Sequence, residues 1–208
     1  MRSFRWLPAL ALPLLVVFAA RAQDEKEKPL SSPYFPLEVG ATWTYRAGEA
    51  TFQYKVALFE KVGKTTCARI DLVIASRVVS HEHVAVTKDG VQRFAFEGKE
   101  AKPPITVLPA DVKDGAEWPV DSKVGGETLS GKFVLSKVKE KEKVKAGGKE
   151  YEAVVVTGKD LKANGAPVGL KYYFAEKVGM VKQELEVAGN KVTFELEKYE
   201  PPAAKKQK

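Results

Sequence analysis

The tripeptide His81-Glu82-His83 is the sharpest candidate for chemistry in this chain. On a β-strand, residues i and i+2 point to one face about 7 Å apart. Two imidazoles so placed can share a zinc or copper ion once a neighbouring strand supplies a carboxylate. His81 and His83 are the only two histidines, which excludes a three-histidine site. Val78, Ser80, Glu82, Val84 and Val86 share the opposite face. If that face is the core, the histidines stand on a solvated strand, and the pattern favours this plainer reading over a metal site.

Other routes to catalysis find less support. No G-x-S-x-G elbow is present, and Ser80 and His81, as strand neighbours, face opposite sides, so the serine is not offered to a base. No pair of carboxylates stands out in an apolar setting, where one could be tuned as an acid. No phosphate loop and no cofactor motif occurs. The chain reads as a non-enzyme that needs no cofactor.

Two further groups of residues suggest binding. Trp43, Tyr45 and Trp118, with Phe94, Phe96, Tyr172, Tyr173 and Phe174, can line an apolar cavity, although core filling, which aromatics dominate, is the favoured reading for most of them. Of these, Trp118 lies in a proline-rich stretch that can act as a lid. Lys137, Lys139, Lys141, Lys143 and Lys145 fall on one face at strand spacing. They suit contact with an anionic polymer or, the favoured reading, an edge strand whose lysines discourage further pairing.

The elements that must position these residues are strands. Phe52, Tyr54, Val56 and Leu58 alternate with polar neighbours, as do Ala68, Ile70, Leu72 and Ile74, then Val181 to Val187 and Val192 to Leu196. Such alternation marks antiparallel sheet with one buried face. Gly63-Lys64, Asp89-Gly90, Gly147-Gly148, Asn164-Gly165 and Gly189-Asn190 supply hairpin turns between them. The fold class is all-β, an antiparallel meander of roughly ten strands. The pattern leaves open a curled open sheet, a partly closed barrel and a two-sheet sandwich. Residues 98–128 hold Pro103, Pro104, Pro109 and Pro119, which cannot donate to a central ladder, so this stretch is expected to cross an end or edge of the sheet. Gly40-Ala41-Thr42-Trp43 and Gly115-Ala116-Glu117-Trp118 repeat at 75 residues, as two meanders over 36–108 and 109–199 would.

The chain has 208 residues, with 34 Lys and Arg against 27 Asp and Glu. Residues 1–22 read as a signal peptide: Arg2 and Arg5, an apolar run from Leu7 to Ala20, then Ala20-Arg21-Ala22 for the peptidase. The run is shorter than the roughly 20 residues of a spanning helix, and no later stretch is apolar enough to span. Residues 23–32 read as a disordered leader, 33–200 as one β domain, and 201–208 as a basic disordered tail. Without the signal peptide and the tail lysines the balance is 28 positive against 27 negative charges. The folded part carries no basic footprint for nucleic acid. The destination is exported, periplasmic or extracellular, where the lone Cys67 cannot form an internal disulfide.

The opening Tyr34-Phe35-Pro36-Leu37-Glu38-Val39-Gly40-Ala41-Thr42-Trp43-Thr44-Tyr45 resembles the start of a group of exported bacterial proteins of unassigned function. Tyr173-Phe174-Ala175-Glu176-Lys177-Val178-Gly179-Met180-Val181-Lys182 resembles the closing strand pair of the same group. The resemblance implies an exported all-β protein and no particular activity or site. Together these readings suggest a binding protein of the periplasm or envelope that holds an apolar or envelope-derived small molecule. The alternatives are an assembly factor that meets a partner envelope protein through a sheet edge, and a metal-dependent enzyme using His81 and His83. The oligomeric state does not follow from the residues.

Overall fold

The computed structural model describes residues 30–203. The signal peptide, most of the leader and the lysine-bearing end of the tail lie outside them. Thirteen strands follow in order: β1 (Thr42–Ala47), β2 (Ala50–Val62), β3 (Thr65–Ile74), β4 (Arg77–Thr87), β5 (Gly90–Phe96), β6 (Lys99–Pro109), β7 (Glu117–Val124), β8 (Glu127–Ser136), β9 (Glu142–Ala146), β10 (Lys149–Ala163), β11 (Ala166–Ala175), β12 (Gly179–Val187) and β13 (Asn190–Glu200). Each pairs antiparallel with its neighbours. β13 pairs with β1, and β10 joins β8 on one edge to β11 on the other, so the sheet closes into a ring of twelve strands. The all-β, antiparallel expectation holds. The arrangement is the barrel, with thirteen strands rather than about ten.

β9 is the strand outside the ring. It takes up the edge of β10 that β8 leaves, at Glu142↔Ala153 just past Ser136↔Val155. Lys137, with φ of 61°, begins the break between them. The lysine run therefore does not form one strand face. Only Lys143 and Lys145 sit in β9, an edge strand as the favoured reading expected. The β9–β10 hairpin folds so that Gly147 meets β13: a Cβ built there would lie 2.2 Å from the carbonyl oxygen of Glu197. No side chain fits that approach.

All five dipeptides named above fall at hairpin turns. The alternation is less faithful. In β2 the register slips between Val56 and Leu58, which leaves Val56 fully buried and Leu58 40% exposed. A single extra residue reverses every later side chain. Ile74, Val187 and Val192 are also exposed, near hairpin ends.

The proline-rich stretch departs most from expectation. It does not cross the sheet; it forms β6 and β7, and its prolines sit where the ring is thinnest. Only Ala101↔Val124 and Lys102↔Lys123 pair across this seam. Pro103 and Pro104 have no N–H to continue it. Side chains take over: Ser122 Oγ donates to the Pro103 carbonyl at 2.7 Å, and Trp118 Nε1 to that of Thr106 at 2.9 Å.

The two Gly-Ala-x-Trp segments occupy equivalent places. Gly40 N–H donates to Val56 and receives back through Val56 N–H to Ala41; Gly115, Leu135 and Ala116 repeat both bonds. Trp43 opens β1 and Trp118 opens β7, and each indole donates to a carbonyl of the other half, Val178 and Thr106 respectively. The ring is thus six strands plus six, with β9 inserted in the second half.

Replacing Ser122 by Ala, or Trp118 by Phe, removes one staple from the seam. Each is expected to cost about 1 kcal/mol and to speed amide exchange in β6 ahead of β2 and β3. Hydrogen exchange followed by NMR checks this; uniform acceleration across the barrel would contradict it.

Candidate functional site

Ile70 in β3, Glu82 and Val84 in β4 and Arg93 in β5 face the barrel interior, where they meet Tyr45, Tyr54, Tyr172 and Gln183 around a cavity. The space open to the centres of water-sized molecules is about 50 Å³, several times the roughly 10–15 Å³ that one water needs on that measure. Phe35, from the segment before β1, and Phe174 of β11 close part of the wall.

The position of Arg93 follows from strand register. It lies opposite Val84 on one side and Ile105 on the other, with Phe94 bulged out between Arg93 and Ala95. Its Nε donates to Glu82 Oε2. About 30% of the Arg93 side chain is accessible against 12% for Glu82, and both line the cavity. Burial works to lower the guanidinium's pKa, but the Glu82 carboxylate and the Tyr172 hydroxyl outweigh it and hold it above its ordinary value. Arg93 is charged at every accessible pH.

The phenols are held protonated. Burial pushes Tyr45 and Tyr54 well above the usual tyrosine value, and the Glu82 charge adds to the shift in both. Tyr45 donates its proton to the Met180 carbonyl at 2.6 Å, beside Trp43 Nε1 donating to Val178 at 2.6 Å. Gly179 lies between these acceptors with φ of 97°, its Cβ position 3.3 Å from Trp43 Nε1. Lys177 N–H donates to Pro33, and Phe35 packs on both Trp43 and Phe174. The opening and closing motifs of the sequence are therefore one packed unit at the cavity wall.

The expected aromatic residues divide. Trp43 and Tyr45 line the cavity, as do Tyr172 and Phe174. Trp118 does not; it packs on Phe133 and staples the seam, in a strand rather than a lid. Tyr173 faces away, with the Lys171 ammonium 4.6 Å from its ring centre. Phe96 is exposed.

His81 and His83 stand on the outer wall, opposite Asp71 and Arg69 of β3, while Glu82 between them points inward. Their rings lie edge to face at 5.4 Å. Glu60 of β2 supplies the neighbouring carboxylate, 2.6 Å from His83 Nε2, but Asp71, opposite His81, is held by Arg69 at 2.8 Å. Among the described residues no group of three or more His, Cys, Asp or Glu side chains is placed to hold a metal. His83 Nδ1 is buried with no partner, so the ring's contact with Glu60 is made through Nε2 alone. Cys67, on the same wall, is fully buried, and burial pushes its thiol up to about 11, which makes it unreactive.

No protein-family model and no curated protein matches the chain. Two solved structures are similar to it. One, from Bacteroides fragilis and provisionally described as an exported protein with a YmcC-like fold, has 11% identity and a TM-score of 0.48, over 82% of this chain and 100% of that one. The other, provisionally described as a lipoprotein of Parabacteroides distasonis, has 12% identity and a TM-score of 0.40, over 80% of this chain and 98% of that one.

Two variants test the electrostatics. Arg93→Met leaves Glu82 buried without its partner and is expected to cost about 3–5 kcal/mol, with much of the loss recovered in Arg93→Met/Glu82→Leu; urea unfolding measures both. On the outer wall, the hydrogen bond from His83 holds the Glu60 carboxyl below its ordinary value. A lowered folded pKa means stability that is present above the unfolded value and lost as pH falls through the folded one. With Glu60 42% exposed, the contribution is below about 1 kcal/mol. Glu60→Gln should therefore lower the melting temperature slightly at neutral pH, and the gap from wild type should close in acid.

Proposed function

We propose that this protein is an exported, non-enzymatic binding protein that holds an apolar molecule with a polar end inside its barrel. One observation carries the reading: the Arg93–Glu82 pair, Tyr54, Tyr172 and Gln183 stand together at an interior cavity whose other walls are apolar or aromatic. Ligand sites have this composition, with a few placed polar groups in a hydrophobic lining.

Binding is favoured over catalysis because the cavity brings together an arginine, a carboxylate already engaged with it, and the Tyr45 and Tyr54 phenols, held protonated. Those groups can orient a ligand, and among them there is no nucleophile beside a free base. The sheet-edge reading has less behind it. The free edge of β9 carries lysines that discourage a further strand. The signal-peptide features of residues 1–22 make the envelope or the exterior the source of the ligand.

Native mass spectrometry of the mature protein from its own exported fraction tests the proposal against the same sample after denaturation. The expected result is an added mass of roughly 100 to several hundred daltons, lost on denaturation and absent from Val84→Phe, which fills the cavity. A bare polypeptide mass in the native wild-type sample, with none gained on incubation with envelope extract, would overturn it.

A further inference from the structure

We infer that the polar end of the ligand is a carboxylate, bound by the free edge of the Arg93 guanidinium. The inference rests on the interior-binding reading above and adds the chemical class of what is bound. Glu82 pairs with Arg93 through Nε, and among the described residues no second carboxylate pairs with that guanidinium. Arg93 lines the cavity, with the Tyr172 hydroxyl close to its guanidinium, and the Nη groups that Glu82 does not take are the proposed donors. Two parallel N–H groups on one edge of a guanidinium match the two oxygens of a carboxylate.

The neighbours are suited to the same partner. Tyr54 lines the cavity, and burial together with the Glu82 charge keeps its phenol protonated and able to donate. Gln183 lines the same wall and adds an amide donor. The groups that could repel an anion there reduce to Glu82, whose charge Arg93 already balances. Ile70, Val84, Val107 and Phe174 leave only apolar contact for the rest of the molecule. A cavity of about 50 Å³ for water-sized centres suits a headgroup and a short chain, so the class is a monocarboxylic acid with an apolar tail.

Hexanoate and 1-hexanol, equal in chain length and different in headgroup, serve as probes for titration calorimetry and fluorescence. Trp43 lies in the cavity wall, and Trp118→Phe leaves it as the reporter in the mature chain. Wild type should bind hexanoate at least tenfold more tightly than hexanol. Arg93→Gln/Glu82→Gln, which removes both charges together, should lose that preference while still binding hexanol, so that the retained alcohol affinity shows the barrel to be folded. Equal affinity for the two probes in wild type, or an undiminished preference in the double variant, overturns the carboxylate assignment and leaves interior binding standing. If neither probe binds wild type and Trp43 emission does not move, both readings fall together.

Discussion

A ring of twelve strands exists only if its first strand finds its last, and here that contact is made twice. β1 pairs with β13 along the backbone, and Trp43 and Tyr45 reach past it to the carbonyls of Val178 and Met180, 135 residues away in each case. Closure over such a separation comes late and is entropically costly. The aromatic cluster of Phe35, Trp43 and Phe174 supplies burial at the same place. The indole and phenol groups add the direction that burial lacks, because only one register brings both donors to their acceptors. Gly179 suits this point because its φ of 97° is one that side chains rarely adopt, and a Cβ there would crowd the Trp43 indole at 3.3 Å.

Closure then sets a problem of volume. Eight strands make a barrel whose interior side chains just fill it, and larger rings leave space. Aromatic side chains, with Phe52 stacked on Tyr45 and Phe133 near Tyr172, take up much of the excess in this one. What remains is polar, and stability alone does not account for it. Moving an arginine and a glutamate into the interior costs several kcal/mol per ion before their attraction is counted, and well-packed apolar residues commonly do as well. An interior that keeps the pair at the wall of the cavity is what the binding reading proposed above requires.

Much of this fold could be read from residue types. Period-two patterning, five of the turns and the all-β class follow from hydrophobicity and from Gly and Asn placement. The turn at Ala75-Ser76 did not announce itself, since both residues take positive φ without being Gly or Asn. Bulges defeated the finer reading: one misplaced Leu58, and another concealed Arg93. In β5 the visible pair was Phe94 and Phe96, and only Val91 and Ala95, buried on either side, mark the phase that turns Arg93 inward. The tripeptide that drew attention first did contain a site residue, but it was the middle one. Glu82 is in step with Val84 and Val86, and a carboxylate in step with a core face calls for a cation on the next strand. Trp43 and Tyr45 were legible as two aromatics sharing one strand face beside a glycine turn, a pattern that favours core and does not distinguish it from the cavity wall they help form. Trp118 was expected in a lid because the prolines around it suggested a loop, where the chain forms a strand.

The two halves of the barrel meet at two junctions built from the same parts and finished differently. At β13 and β1 the backbone ladder runs through five residue pairs, and the indole bond is an addition. At β6 and β7 it runs through two, and the indole and serine bonds substitute for what the prolines cannot make. A side-chain bond opens by rotation about χ angles, whereas a ladder opens only when several backbone bonds part together. Local stability follows the number of backbone bonds that must break at once, so the second junction is the weaker by construction. β6 also carries Val107 into the cavity wall and pairs with Arg93 through Ile105. The part of the wall that is cheapest to move is therefore the part that stands beside the charged group.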